Sequence, residues 1–533
     1  MKDKFLRGAL ILTVAGFCVK ILGSVNRILL SRLLGGEGIG LYQIAYPIYL
    51  LLTSVSGAGI SIAISIMVAK KVAQGDYPGA KRIFMVTAQL MVVVGLILAI
   101  LLYLGSGWLI TAQVVRDARA YYALIALTPA VFFGTLVASF RGYFQGFQLM
   151  RPTAVSQIID QFTRVVFMLT LAYVLLPYGL EYAAAGAAFG AVPGSVAGLC
   201  LLLYFYQKYK KSLQPVVTEQ PNAPRESMLT IAKTLVKLAL PVACANLMLP
   251  VVMGIDTFLV PGRLETAGFS VHEATKAFGY LAGMALPLVL MGTIPTTSLS
   301  ASVVPAISEA RTLGNQEAVK AKCRMALRLC SLVTFPAFIG MYVLAQPIST
   351  LLYGTKAAAD VIAQLSPSLF FLGLHQVSTG ILQGSGFTVV PMINMLISAL
   401  VKAAAVWRWT ALPQYNILGA AWASNLNFAV AAVLNIGFLL HFVQGDFPWR
   451  SLGKISITSV LMGILVLLGY KSLLILTHSN AISTLAAVVT GTVVYGLLLI
   501  GSKEITQDEI RKMPVVGKIW QKLTQKESSE DKL

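Results

Sequence analysis

The chain has 533 residues, of which 57% are hydrophobic and 12% charged, and it carries a net charge of +20. Soluble domains carry about 25% charged residues, so the composition excludes a soluble enzyme. The basic residues sit in short gaps between apolar runs, which excludes a nucleic-acid-binding surface and makes them topology signals. Five cysteines (Cys18, Cys200, Cys244, Cys323, Cys330) show no CxxC spacing and read as packing residues, with no disulfide or zinc framework.

Apolar runs of the roughly 20 residues needed to cross hydrocarbon predict fourteen helices: 8–31, 41–69, 83–104, 119–140, 153–176, 183–206, 231–260, 277–304, 323–345, 361–382, 391–412, 418–442, 454–476 and 481–501. The N-terminal MKDKFLRG imitates a secretory signal. The run that follows contains Lys20 and Arg27, is too long for a signal core and lacks an A-x-A site, so it reads as the first membrane helix. Lys20 and Arg27 are two turns apart on one face, with Asn26 adjoining. Such a cationic stripe suits a phosphate or carboxylate substrate. Two alternatives stand beside it: Lys20 in a structural ion pair, and Arg27 snorkelling to the external interface.

Helix 2 is interrupted by Pro47, Gly57 and Gly59, helix 7 by Pro241, Pro250 and Gly254, and helix 8 by Pro287 and Pro295. A proline leaves a carbonyl unpaired, which is tolerable only against protein or a wet cavity, so these helices face the bundle interior. On helix 5, Asp160 and Arg164 are spaced i, i+4, an intrahelical pair that lowers the cost of insertion. Asp256 on helix 7 aligns with Arg27 on helix 1. It is a candidate counter-charge that pairs with Arg27 when the site is empty, a coupling-cation or proton site, or half of a static salt bridge. His375 on helix 10 is a satisfied core histidine or a proton-coupling site. Lys402 on helix 11 is the repeat equivalent of Arg164 and extends an anion path or holds lipid headgroups. Arg408, between Trp407 and Trp409, anchors the external interface. In the tail, TQDE (506–509) is a capping box opening a basic amphipathic segment for the cytoplasmic interface.

The chain repeats itself. Gly75 and Lys81 recur as Gly314 and Lys320, 239 residues on; Gln145-Gly146 recurs as Gln383-Gly384 at 238; Gly186 matches Gly419 at 233 and Pro47 matches Pro287 at 240. The expected organisation is a first lobe of six helices (1–207), a cytoplasmic linker (208–230), a second six-helix lobe (231–445), an appendage of helices 13 and 14 (446–501) and an amphipathic tail (502–533). Even helix numbers make the repeats parallel, a transporter architecture with the substrate between the halves and alternating access by rocking. With the N-terminus inside, cytoplasmic gaps hold 20 Lys/Arg and external gaps 7, so both termini are expected in the cytoplasm. No Walker A, GxSxG, HExxH or metal-spaced cluster is present. No catalytic residue, metal or cofactor is expected, and transport runs on a gradient or downhill.

Three stretches carry a resemblance: KILGSVNRILLSRLLGGEGIGLY (20–42), GIDTFLVPGRLETAG (254–268) and SLSASVVPAISEA (298–310). With fourteen helices, the whole chain resembles the stage V sporulation protein B group of polysaccharide-biosynthesis membrane proteins, in the MOP exporter superfamily with MurJ-type lipid II flippases and MATE drug exporters. The resemblance implies a V-shaped pair of six-helix lobes around a cationic cavity. It also implies a groove of helices 13 and 14 for a lipid tail, and flipping of an undecaprenyl-pyrophosphate-linked precursor for cell wall or spore cortex. Lys20 and Arg27 match the basic positions of the family's first helix. MurJ-type flippases carry further internal arginines on helices 2 and 8. Here Leu41 to Ala69 and Ala277 to Val304 hold no charge, which leaves the substrate open among lipid-linked saccharides. The expected partners are that substrate, membrane lipids and cell-wall synthases. Competing readings are a cation-coupled drug exporter, which predicts twelve helices and an acidic or aromatic cavity; a non-transporting scaffold, which tolerates loss of Arg27 and Asp256; and a membrane glycosyltransferase, which needs an external acidic pair.

Overall fold

The computed structural model describes residues 2–218 and 226–504. Among them every regular element is helical. In chain order these are α1 Lys2–Ser56, α2 Ala58–Ala73, α3 Tyr77–Thr111, α4 Ala120–Gly146, α5 Met150–Leu175, α6 Leu180–Phe189, α7 Ala191–Thr218, α8 Met228–Thr266 and α9 Val271–Phe278. A π-helical turn, Gly279–Ala285, leads to α10 Leu286–Gly292, α11 Ile294–Thr312, α12 Gln316–Val343, α13 Ala345–Tyr353, α14 Ala359–Leu365 and α15 Pro367–Gly384. The last four are α16 Val390–Trp409, α17 Asn416–Phe442, α18 Trp449–Thr477 and α19 Asn480–Gly501.

The chain is a multi-pass membrane protein: eleven helical stretches among the described residues are long and apolar enough to cross a bilayer. Fourteen were expected. One stretch, Val14–Ala73, covers both expected helices 1 and 2 in 60 residues, roughly 90 Å of helix against a hydrocarbon core of roughly 30 Å. The segments of expected helices 7 and 10, α8 and α14–α15, fall outside the eleven. Residues 505–533 of the expected tail, with its amphipathic segment, lie outside the described residues, as do 219–225 of the expected linker, into which α7 extends.

Of the interruptions expected, those at Gly57 and Pro295 coincide with breaks, whereas α1 runs on through Pro47 and Gly59 lies inside α2. The gap expected at 32–40 is a one-residue kink at Gly35 (φ 66°, ψ −172°), a conformation open to glycine and costly for any other residue. Gly57 ends α1, and Thr293 separates α10 from α11 one residue after Gly292 and just before Pro295. Helix 7 differs from expectation: α8 runs unbroken through Pro241, Pro250 and Gly254. A proline removes a single intrahelical bond, and a packed membrane helix absorbs that loss without ending.

The sequence repeat is also a packing repeat. A Cβ on Gly142 would lie 2.5 Å from the Ser61 carbonyl oxygen, and one on Gly380 would lie 2.7 Å from that of Ser300. One on Gly146 would strike Val68 and Ser65; one on Gly384, Ile307 and Val304. Each contact recurs 238 or 239 residues on. Small residues let the paired helices touch backbone to backbone. Gly142→Ala and Gly380→Ala are therefore each expected to cost about 1–3 kcal/mol by overpacking, read as matched drops in thermal stability in detergent.

The chain divides into two compact units, residues 1–291 with 395–423 and residues 292–394 with 424–533. The first is cored by Ile64, Phe84, Phe144, Leu202 and Ile231, with Phe84 against Tyr143 at 4.4 Å between ring centres. In the second, Leu327, Val377, Ile381 and Leu439 form the core. Helices α18 and α19 join it through Leu344, Met462, Val466 and Ala487, and a partly buried Arg328–Glu504 ion pair of 3.0 Å holds the end of α19.

A polar clasp ties the kink of α1 to α9 within the first unit. Arg119 bridges Glu37 (2.7 Å) and Asp117 (2.8 Å), and the Thr275 hydroxyl donates to Asp117 at 2.8 Å. Burial pushes the Asp117 carboxyl up, but the hydrogen bonds from Arg119 and Thr275 outweigh it and hold the group below the usual carboxylate range. A depressed carboxyl stabilises the fold above its unfolded value of about 3.9 and loses that contribution as pH falls through its folded value. Melting in detergent is expected to drop more steeply below about pH 4 for wild type than for Asp117→Asn, which is already less stable at neutral pH.

Candidate anion-binding site

The first arm of α1 presents three faces. Val14, Phe17, Ile21, Val25 and Leu29 form an exposed apolar stripe, while Ala15, Asn26 and Leu30 are buried. Lys20 and Arg27 lie roughly 120° around the helix from the apolar stripe, on neither the lipid-like face nor the packed one. Lys20 is exposed and Arg27 half-buried. The Arg27 guanidinium stands over the Tyr46 ring, 5.6 Å from its centre, a cation–π contact. It turns in over the second arm of its own helix. Among the described residues no carboxylate pairs with it. Asn26 is directed away from this face: its amide donates to the Met168 sulfur at 3.3 Å, against α5.

Tyr46 belongs to a run of rings. It stacks on Tyr42 at 5.4 Å and tilts against Tyr49 at 6.0 Å. The Tyr49 hydroxyl faces Arg164 on α5, and Tyr42 lies within electrostatic reach of both Arg27 and Arg164. The expected Asp160–Arg164 pair is present at 3.4 Å. It has a third member, Arg141 of α4, which reaches Asp160 at 3.3 Å and donates to the Ser156 hydroxyl at 3.1 Å. Lys20, Arg27, Arg141 and Arg164 thus share one unit with Asp160 and three tyrosines.

Asp256 does not take Arg27 as its partner. Its Oδ2 receives the Lys402 ammonium at 2.6 Å, with both side chains buried, and Lys402 also donates to the Val252 carbonyl at 3.4 Å. The other carboxylate oxygen, Oδ1, has no partner among the described residues. The pair is a fixed balance of one charge against another. In the second unit His375 sits in an amide and hydroxyl network: Asn435 joins it at 3.2 Å, receives a bond from Asn394 at 2.9 Å and donates to Ser378 and Thr379. Arg263 stacks on Trp407 at 4.1 Å.

Sequence reasoning missed Arg141 and the tyrosines. The expected fourth helix ends at residue 140, which puts Arg141 among the cytoplasmic loop charges, whereas it lies inside α4. Its signal was available in the repeat, where RGYFQG (141–146) matches TGILQG (379–384) with arginine against threonine.

A family model described as polysaccharide biosynthesis protein matches residues 5–311, and one described as MatE matches residues 280–407. Stage V sporulation protein B of Bacillus subtilis (strain 168) is 31% identical over 523 residues, spanning 97% of this chain and 99% of that protein. Lipid II flippase MurJ of the same organism is 27% identical over 490 residues, spanning 87% and 88%. A solved structure of a lipid II flippase MurJ in an inward closed conformation matches with a TM-score of 0.68 at 18% identity, over 93% of this chain and 99% of that one. At that identity the likeness is one of fold.

Proposed function

Because this chain belongs to the polysaccharide biosynthesis protein family, we propose that it is a flippase carrying an undecaprenyl-pyrophosphate-linked saccharide or peptidoglycan precursor across a bacterial plasma membrane, in service of cell-wall or spore-cortex synthesis. One observation carries the reading. Arg27 is a half-buried cation over an aromatic ring, on a helix face that is neither lipid-like nor packed, with no carboxylate to neutralise it among the described residues. A cation at membrane depth costs about 2.5–3.5 kcal/mol on insertion scales. An anionic headgroup offsets that cost each time it binds, and guanidinium holds phosphate through two parallel hydrogen bonds.

Lys20 attracts the headgroup at the exposed end of the stripe, and Arg27 receives it. Six-helix halves, fourteen crossings, cytoplasmic termini and alternating access complete the proposal, with helices 13 and 14 taking the lipid tail. Asp256 acts as the counter-charge of Lys402 and keeps that cation out of competition with the substrate site. No step is catalytic.

The test is translocation by the purified full-length protein in liposomes. Undecaprenyl-pyrophosphate-linked glycopeptide, teichoic-acid and capsular intermediates are compared with a hydrophobic drug cation. Transport of at least one lipid-linked saccharide and none of the cation is expected. Transport of the cation alone would move the protein to the drug exporters.

A further inference from the structure

The two halves of the repeat treat one set of positions differently. Arg141 corresponds to Thr379, Asp160 to Ser398 and Arg164 to Lys402, all 238 residues on. In the second half the first two positions are neutral: Thr379 accepts a hydrogen bond from Asn435 at 3.1 Å, and the Ser398 hydroxyl donates to the Met395 carbonyl at 2.8 Å. Lys402 is balanced by Asp256. The fold therefore stands at these positions without surplus charge. In the first half two guanidinia share one carboxylate, Asp160, and no second carboxylate pairs with either among the described residues. One positive charge is left over, with all three side chains less than one-fifth exposed. An uncompensated charge in such a place is strongly destabilising.

The surplus is held in a fixed place. Gly194 lets α7 press onto α5 at this point: a Cβ there would lie 2.8 Å from the Asp160 carbonyl oxygen and 2.9 Å from Arg164 Cβ. The Arg164 Nε–H is buried and has no acceptor among the described residues. The tyrosine run connects it to Arg27, since Tyr42 feels both guanidinia, Tyr46 lies under Arg27 and Tyr49 faces Arg164.

We propose that Arg141 and Arg164 form a second phosphate position beside that of Arg27, so that the site selects a diphosphate diester over a monophosphate. The proposal rests on the anion reading of Arg27. Each phosphate of a diphosphate diester carries one negative charge: one meets Arg27, the other meets the surplus of the Arg141–Asp160–Arg164 cluster and offers an acceptor to the idle Nε–H. Asp160 is a positioning residue that holds the two guanidinia side by side on one carboxylate.

The experiment measures binding of two soluble probes to the full-length protein in phosphatidylcholine nanodiscs: one disaccharide carried on a short prenyl diphosphate and the same disaccharide on a short prenyl monophosphate. Wild type is expected to prefer the diphosphate by at least about tenfold. Arg164→Gln leaves a balanced Arg141–Asp160 pair; it should erase the preference while keeping monophosphate binding. Arg27→Ala should lose both probes. If Arg164→Gln does not reach the membrane, Arg141→Gln leaves the Arg164–Asp160 pair and carries the same expectation. A preference that survives in the variant, an equal loss for both probes, or suppression of the preference by added phosphatidylglycerol would overturn the second position, the last by assigning it to a lipid headgroup. Failure of wild type to bind either probe would instead overturn the reading of Arg27 itself.

Discussion

Replacing Arg27 with alanine is expected to abolish complementation of a deletion strain while the protein still reaches the membrane at normal levels. Removing one partner of a desolvated charge–phosphate contact costs about 2–5 kcal/mol, a fall of more than about thirtyfold in flipping rate at the lower bound. Arg27 has a ring beneath it and no ion-pair partner among the described residues, so its loss leaves no orphaned carboxylate and little reason to unfold. Arg27→Lys keeps the charge but loses the planar fork, so an intermediate rate is expected. Full function in Arg27→Ala would remove the anion reading and favour a non-transporting scaffold.

The opposite pattern is expected at Asp256 and Lys402. Their pair is buried at 2.6 Å, and removing either partner alone strands a charge, at a cost of about 3–5 kcal/mol. Asp256→Ala and Lys402→Ala should each lower the melting temperature sharply and deplete the protein from the membrane. The double variant Asp256→Asn with Lys402→Gln removes both charges and should recover most of the loss. A double variant no more stable than the singles would show that the two residues act separately. Fluorescence-detected size-exclusion after heating reads all three.

The contrast between these two sites explains what was legible in the sequence. The i, i+4 spacing of Asp160 and Arg164 is a local geometric fact of a helix, and the ion pair forms as the spacing requires. Gly57 and Pro295 mark breaks because a missing N–H or a missing Cβ acts within one turn. The partner of Asp256 was not legible. Lys402 lies 146 residues away, and alignment of the two halves pointed to Arg27 because it compares positions within a repeat and says nothing of which helices touch. Arg141 was missed for a related reason: it is 19 residues from Asp160, near a helix end where basic residues usually report topology. Of the repeat anchors, Gly146 and Gly384 mark close helix contacts, because a close approach leaves the chain no choice of residue; Gly142 and Gly380, which make the matching contacts one turn earlier, were not singled out.

The drug-exporter reading expects an acidic or aromatic cavity; the run of Tyr42, Tyr46 and Tyr49 is aromatic, so the two readings part on charge. Four acidic groups of the first unit are paired with cations: Asp256 with Lys402, Asp160 with two arginines, and Asp117 and Glu37 with Arg119. Around them the charge left over is positive: Arg27 on α1 and one of the two guanidinia that share Asp160 on α4 and α5.

A titration of the purified full-length protein with a short-chain, water-soluble prenyl-diphosphate saccharide, run beside the same saccharide as an uncharged alkyl glycoside, puts the question most simply. The first ligand should bind, weaken as salt is raised and fail to bind Arg27→Ala, while the glycoside should bind neither protein. Equal binding of the glycoside, or a diphosphate affinity indifferent to Arg27, would mean that the positive face of the first helix is not where the cargo is held.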